Sequence, residues 1–200
     1  MDLTPPTLTG KHVKMVPLSI DHHADLAAVG LDQSHWKWIP YQVLTTDDIM
    51  KYIRTALAEQ ERGVSMPFAT CLTENGRAIG CTRYMNIDAP NQRVEIGSTW
   101  IAPSHQRTIV NTEAKYLMLR HAFETMDCNR VELKTDVLNE KSRNAILRIG
   151  AKQEGIFRKH VVCHDGRVRD SVYFSIIKDE WPEVKAKLEM KLESKLSPKR

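Results

Sequence analysis

Residues 100–113 read WIAPSHQRTIVNTE and join two segments of opposite period. Before this stretch, Arg93–Ile101 (RVEIGSTWI) alternates like a strand and ends short of Pro103. After it, residues 111–126 carry Leu117, Met118 and Ala122, then Leu119, Phe123 and Met126, at helical spacing. A strand therefore feeds the N-terminus of a long helix. Asn111 suits the N-cap, and Glu113 falls in the first turn, where the helix dipole favours a carboxylate. Uncapped amides at such an end bind anions, most often phosphate, so this turn points to a phosphate-bearing ligand.

Working outward, the rest of the chain alternates between helical and strand-like patterns. Residues 12–17 alternate as a first strand. Residues 20–30 and 46–62 read as helices, the second with Thr46 or Asp47 as its cap and Gly63 as its stop. Two runs, 67–72 and 78–86, flank Asn75-Gly76, a pair that favours the positive φ of a tight hairpin. Arg130–Asp136 (RVELKTD) alternates again, residues 139–149 form a helix stopped by Gly150, and strands at 155–163 and 169–177 surround a second hairpin signal, Asp165-Gly166. The pattern predicts an α+β domain with a mixed, mostly antiparallel sheet. Beyond it, Val184, Leu188, Leu192 and Leu196 recur every four residues among Lys and Glu. That stripe predicts a terminal amphipathic helix that packs on the domain or makes a homodimer.

Composition limits the function classes. Two hundred residues with 42% hydrophobic content bury one sizeable core and give no sign of a second. No apolar run approaches spanning length, and the opening MDLTPPTLTG lacks the regions of a signal peptide, so the expectation is a cytoplasmic protein with no membrane partner. Cys71, Cys81, Cys128 and Cys163 have no CxxC spacing and read as reduced, mostly buried thiols. The net charge of +4 lies partly in the tail and has no aromatic residues interleaved with it, which argues against a nucleic-acid partner. Asp21, His22, His23 and Asp25 offer no ligand pair at a second place in the chain, so no metal is expected.

The order of elements, the pair RVEIGSTWI and NTEAKYLMLRHAFE, the segment ELKTDVLNEKSRNAILRIGAKQEGIFRKH and the ending GRVRDSVYFSIIKDEW resemble the GNAT superfamily of acetyl-CoA-dependent N-acetyltransferases. Within it the resemblance is greatest to the RimJ/RimL-like branch, which acetylates ribosomal-protein N-termini. It covers residues 8–181 and implies a GNAT fold with a seven-stranded sheet flanked by helices, residues 182–200 being an added helix and tail. The activity implied is transfer of acetyl from acetyl-CoA to a primary amine, on a peptide N-terminus or a small molecule.

The resemblance also assigns residues. Trp100, Ile101 and Ala102 would lie along the pantetheine arm, with a main-chain amide near Ile101 facing the thioester oxygen. The amides of His105, Gln106, Arg107, Thr108, Ile109, Val110, Asn111 and Thr112 would hold the pyrophosphate. Asn139 would lie beside the pantetheine, and Ser142 beside the sulfur as a proton donor to the leaving thiolate. The alternative role of either residue is a helix cap. Glu95 and His160 are the two candidate bases. Trp36, Trp38 and Tyr41 occupy the segment that closes over the amine and would line its pocket, or else pack in the core. The turn departs from the family pattern: Ile109 stands where glycine is expected, and a β-branched side chain resists positive φ and close ligand approach. That departure leaves a second reading, a non-catalytic or weakened acyl-CoA-binding or partner-binding homologue.

Overall fold

The structure is a computed structural model and describes residues 1–194. Eight strands form one sheet: β1 (Leu8–Thr9), β2 (Val13–Pro17), β3 (Ser65–Leu72), β4 (Ala78–Asp88), β5 (Arg93–Ile101), β6 (Arg130–Asp136), β7 (Lys152–Val162) and β8 (Val168–Ile177), in the spatial order β1-β2-β3-β4-β5-β6-β8-β7. The two-residue β1 is an eighth strand beyond the seven expected. Every neighbouring pair is antiparallel except β5 and β6.

Five helices cover the two faces: α1 (His23–Gly30), α2 (Thr46–Glu61), α3 (Val110–Glu124), α4 (Glu140–Arg148) and α5 (Trp181–Ser194). Side chains alternate across each strand, so the core is split in two by the sheet. Met66, Phe68, Tyr84, Val94, Ile96, Leu133 and Phe174 join Leu117, Met118 and Leu119 of α3. Ala69, Cys71, Cys81 and Trp100 join Leu26 of α1 and Ile49, Tyr52 and Ile53 of α2 on the opposite face.

Local chemistry sets the ends of these elements. Thr45, not Thr46 or Asp47, caps α2: its hydroxyl accepts from Asp48 N–H, and the Asp48 carboxylate accepts in return from Thr45 N–H at 2.9 Å. Gly63, Gly76, Gly150 and Gly166 all adopt positive φ, at the two helix stops and two hairpins the sequence marks. α3 starts one residue before Asn111, which lies in the first turn; Ile109 holds the cap position without a side-chain hydrogen bond, and Thr108 Oγ1 accepts from Val110 N–H at 3.3 Å.

The terminal stripe packs on the domain. Val184 and Leu188 are buried, Trp181 stacks on Phe123 at 5.3 Å between ring centres, and Tyr116 Oη donates to Glu189 at 2.7 Å. Leu196 lies outside the described residues. All four cysteines are free and buried, and among the described residues no helix is long and apolar enough to cross a membrane.

Candidate active site

β5 and β6 pair only through Arg93–Arg130, Val94–Val131 and Glu95–Glu132. Beyond Glu95 the two strands part, so the rest of β5 keeps β4 on one edge and has no strand on the other. Ser98 marks the change. Its φ of 47° and the register shift between Cys81 and Arg83 form a bulge. The consequence shows in the core, because Ile96 and Ile101, five residues apart, both face α3. An unbroken alternation would send them to opposite faces.

The free edge carries usable backbone groups. Ala102 N–H donates to Ile79 O on the β4 side at 2.7 Å, so alternation turns the amide and carbonyl of Ile101 toward the opening. Gln106 Nε2 takes the Ile101 carbonyl at 3.0 Å, which leaves the Ile101 amide for a ligand. Because β5 and β6 are parallel, the helices that follow them begin at the same end of the opening. Ligands to parallel strands gather at this end.

At the start of α3, the amides of Arg107, Thr108, Ile109, Asn111 and Thr112 have no hydrogen-bond acceptor among the described residues. Those of His105 and Gln106 are already used, by Ala102 O and Pro103 O, and that of Val110 by Thr108. Five free donors at the positive end of a fifteen-residue helix suit a pyrophosphate. The strain expected at Ile109 is absent: its φ is −69°, and the positive φ of the turn falls on Arg107 at 60°. At the start of α4, Asn139 is the cap, its Oδ1 accepting from Ser142 N–H at 3.2 Å. Ser142 is therefore not the cap, and its hydroxyl makes no hydrogen bond among the described residues.

On the α1–α2 face, β5, β6 and β8 project a second set of side chains. Glu95 is 2% exposed and holds two donors on one oxygen: Asn86 Nδ2 at 2.8 Å and Lys134 Nζ at 3.0 Å both reach Oε2. Oε1 accepts no hydrogen bond among the described residues, and Glu95 lines a cavity of about 680 Å³ with Asn86, Asp88, Glu132, Phe157 and Tyr173. Lys134 also lies 5.6 Å from the Tyr173 ring centre. His160, the other candidate base, lies beside the cavity-lining Tyr173, with ring centres 5.6 Å apart, and its Nδ1 is 3.0 Å from Ser171 Oγ. Burial, then the charges of Lys134 and Arg169, hold its pKa below the usual histidine value despite Glu95, which favours the neutral imidazole.

The aromatic segment divides. Trp36 is a core residue, 1% exposed, with its indole N–H on Gly30 O at 2.8 Å and its ring 5.6 Å from that of Trp100. Trp38 is half-buried and lies against two arginines around the start of β8: Arg169 Nη1 donates to its carbonyl at 2.9 Å, and Arg167, paired with Asp136 at 2.8 Å, lies 5.7 Å from its ring centre. Tyr41 packs against Trp36 and Tyr52, and its buried hydroxyl has no partner among the described residues. Lys134, Arg169 and Ser171 were not anticipated from sequence. The alternation of RVELKTD put Lys134 on the face of Glu132, but only the parallel register sets Glu95 beside it.

Three comparisons extend the geometry. Residues 12–152 match the family described as the acetyltransferase (GNAT) domain. The Bacillus subtilis (strain 168) protein YdaF, provisionally named a ribosomal N-acetyltransferase, is 36% identical over 110 residues. That match covers 55% of this chain and 59% of YdaF, less than two thirds of that relative's length. A GCN5-related N-acetyltransferase from Brucella melitensis superposes with a TM-score of 0.88 at 28% identity, covering 98% of this chain and 87% of its own. RimJ of Mycobacterium smegmatis, solved in complex with CoA-disulfide, shares the fold with a TM-score of 0.82 at 22% identity, covering 94% and 96% of the two chains.

Proposed function

The chain belongs to the acetyltransferase (GNAT) family, and from that premise we propose that it transfers acetyl from acetyl-CoA to the α-amine of a protein N-terminus, a ribosomal protein being the acceptor its B. subtilis relative suggests. The observation that carries this reading is the parting of β5 from β6 beyond Glu95, with free amides at the start of α3 beside it. The amides of Arg107, Thr108, Ile109, Asn111 and Thr112 would hold the pyrophosphate. The Ile101 amide would receive the thioester oxygen, where it can stabilise the negative charge that develops on attack. Asn139 and Ser142 would flank the arm from the α4 side, and Trp38 and Tyr41 would border the acceptor.

Attack by the neutral amine forms a C–N bond and breaks the C–S bond; the amine loses a proton and the thiolate leaves. An α-amine has a pKa of about 7.7–8.0, against about 10.4 for a lysine. A substantial fraction is thus neutral at physiological pH, and a weak base suffices. Glu95 is the candidate proton acceptor, directly or through water, because it lines the cavity and its Oε1 is left without a partner among the described residues while Lys134 and Asn86 hold Oε2. The hydrogen bonds around His160 support a different role for it. Ser171 is fully buried and its Oγ already accepts from Arg169 Nε at 3.0 Å, so its own proton goes to His160 Nδ1. The neutral imidazole then carries its proton on Nε2, which makes it a hydrogen-bond donor rather than a base.

The test is incubation with acetyl-CoA and synthetic peptides matching ribosomal-protein N-termini, read by mass spectrometry. The expected product carries one acetyl group on the α-amine. Acetylation confined to lysine side chains, or to free polyamines, would overturn the assigned acceptor.

A further inference from the structure

Lys115 of α3 is 6% exposed, yet it carries an amine. Its Nζ donates to Thr99 Oγ1 at 2.7 Å and to Thr82 Oγ1 at 3.4 Å. An ammonium has three N–H donors, and the third meets no acceptor among the described residues. No carboxylate pairs with it there either. Glu113, two positions earlier, points to the amides of Lys11, His12 and Val13, and Glu189 of α5 is taken by Tyr116. His121, further along α3, faces the Tyr84 hydroxyl, and Ile146 and Ile149 bring only apolar surface to this core. A buried cation without a counter-charge is strongly unfavourable. The free protein responds as expected: burial alone pushes the Lys115 pKa down to about 7.

The position of the amine gives this cost a meaning. Thr99 belongs to the part of β5 that has no strand on its β6 side. Counting back from Ile101, whose backbone faces the opening, the backbone of Thr99 faces it too. Lys115 also lies one helical turn after Asn111, below the free amides of the turn. We infer that Lys115 is a ligand to the acyl-CoA arm, its spare N–H donating to a carbonyl oxygen of the arm or of the thioester. This rests on the reading of the opening as the acetyl-CoA site and adds a charged group on the α3 side. The arm then supplies the polar partner that the free protein lacks, and binding favours the protonated amine.

Binding at pH 8 must therefore take up a proton. Calorimetric titration of acetyl-CoA into the full-length protein, in two buffers of different ionisation enthalpy, counts it. Wild type is expected to take up close to one proton per ligand bound. Lys115→Met is expected to bind at least tenfold more weakly without that uptake, whereas Lys115→Arg, charged in both states, should keep binding but lose the uptake. The phosphates of CoA, common to all three titrations, cancel in the comparison. Equal proton counts for wild type and Lys115→Met, with Kd values within twofold, would overturn the inference while leaving acetyl-CoA binding intact. Zero uptake by wild type alone would overturn it even if Lys115→Met failed to fold. No binding of acetyl-CoA by wild type would overturn the site itself, and this inference with it.

Discussion

Glu113 uses its carboxylate on the backbone. It accepts from Lys11, His12 and Val13 N–H at 2.9, 2.7 and 2.8 Å, fixing the turn between β1 and β2 to the first turn of α3. A Cβ on Gly10 would approach Glu113 Cδ to 2.6 Å, so the turn is also shaped around it. Glu113→Ala leaves three amides without acceptors and is expected to cost roughly 3 kcal/mol or more in urea unfolding; a loss below ~1 kcal/mol would mean that water replaces the carboxylate. At the acceptor wall, Glu95→Gln should lower kcat by about 10²-fold or more, because an amide cannot take the proton. His160→Ala should leave the acid limb of kcat/KM in place. Were His160 the base, that limb would lie below the ordinary histidine pKa, since burial and Lys134 depress it, and His160→Ala would abolish it. Sequence reading placed Glu95 and His160 as candidates but could not see their contacts with Lys134 and Ser171, because those contacts cross strands. It also could not place the positive φ of the turn, because a glycine pattern carries no φ; here Arg107 takes the left-handed position and Ile109 does not.

Among the elements, the long periodic ones were the most legible. α2, α3 and β6 were readable because their patterns repeat over two or more turns or a full alternation, and both hairpins because Asn75-Gly76 and Asp165-Gly166 specify their own backbone. β1 was not, since two residues have no period and Leu8–Thr9 is ordered by pairing with Lys14 and Met15. The bulge at Ser98 was equally hidden, although it is what lets Ile96 and Ile101 share a face. The tail left two possibilities open in sequence, packing or dimerisation, and the contacts of α5 with α3 favour packing for its first half. Leu188, 1% exposed, tests this: Leu188→Ala should cost about 2–5 kcal/mol in a single unfolding transition. A loss within ~0.5 kcal/mol would mean that α5 is dispensable to the domain.

At the scale of the whole molecule, the proposed function has one sheet serve two ligands from two directions. The parting of β5 and β6 exposes backbone donors at the mouth of α3, while the α1–α2 face of the same strands presents Glu95 to a cavity, with Lys134 on its carboxylate and the His160–Ser171–Arg169 chain on the neighbouring strands. The fold and the strand-to-helix turn before α3 could be read from the order and period of segments; the proposed acceptor wall could not, because it is assembled from β5, β6, β7 and β8 across long separations. The most direct measurement is thermal unfolding with and without acetyl-CoA, with inorganic phosphate at equal ionic strength as the control. At a hundred times its Kd the ligand should contribute ~2.7 kcal/mol, a rise in Tm of roughly 5–10 °C for a chain of this size. A Tm that acetyl-CoA moves no further than phosphate does would contradict the account.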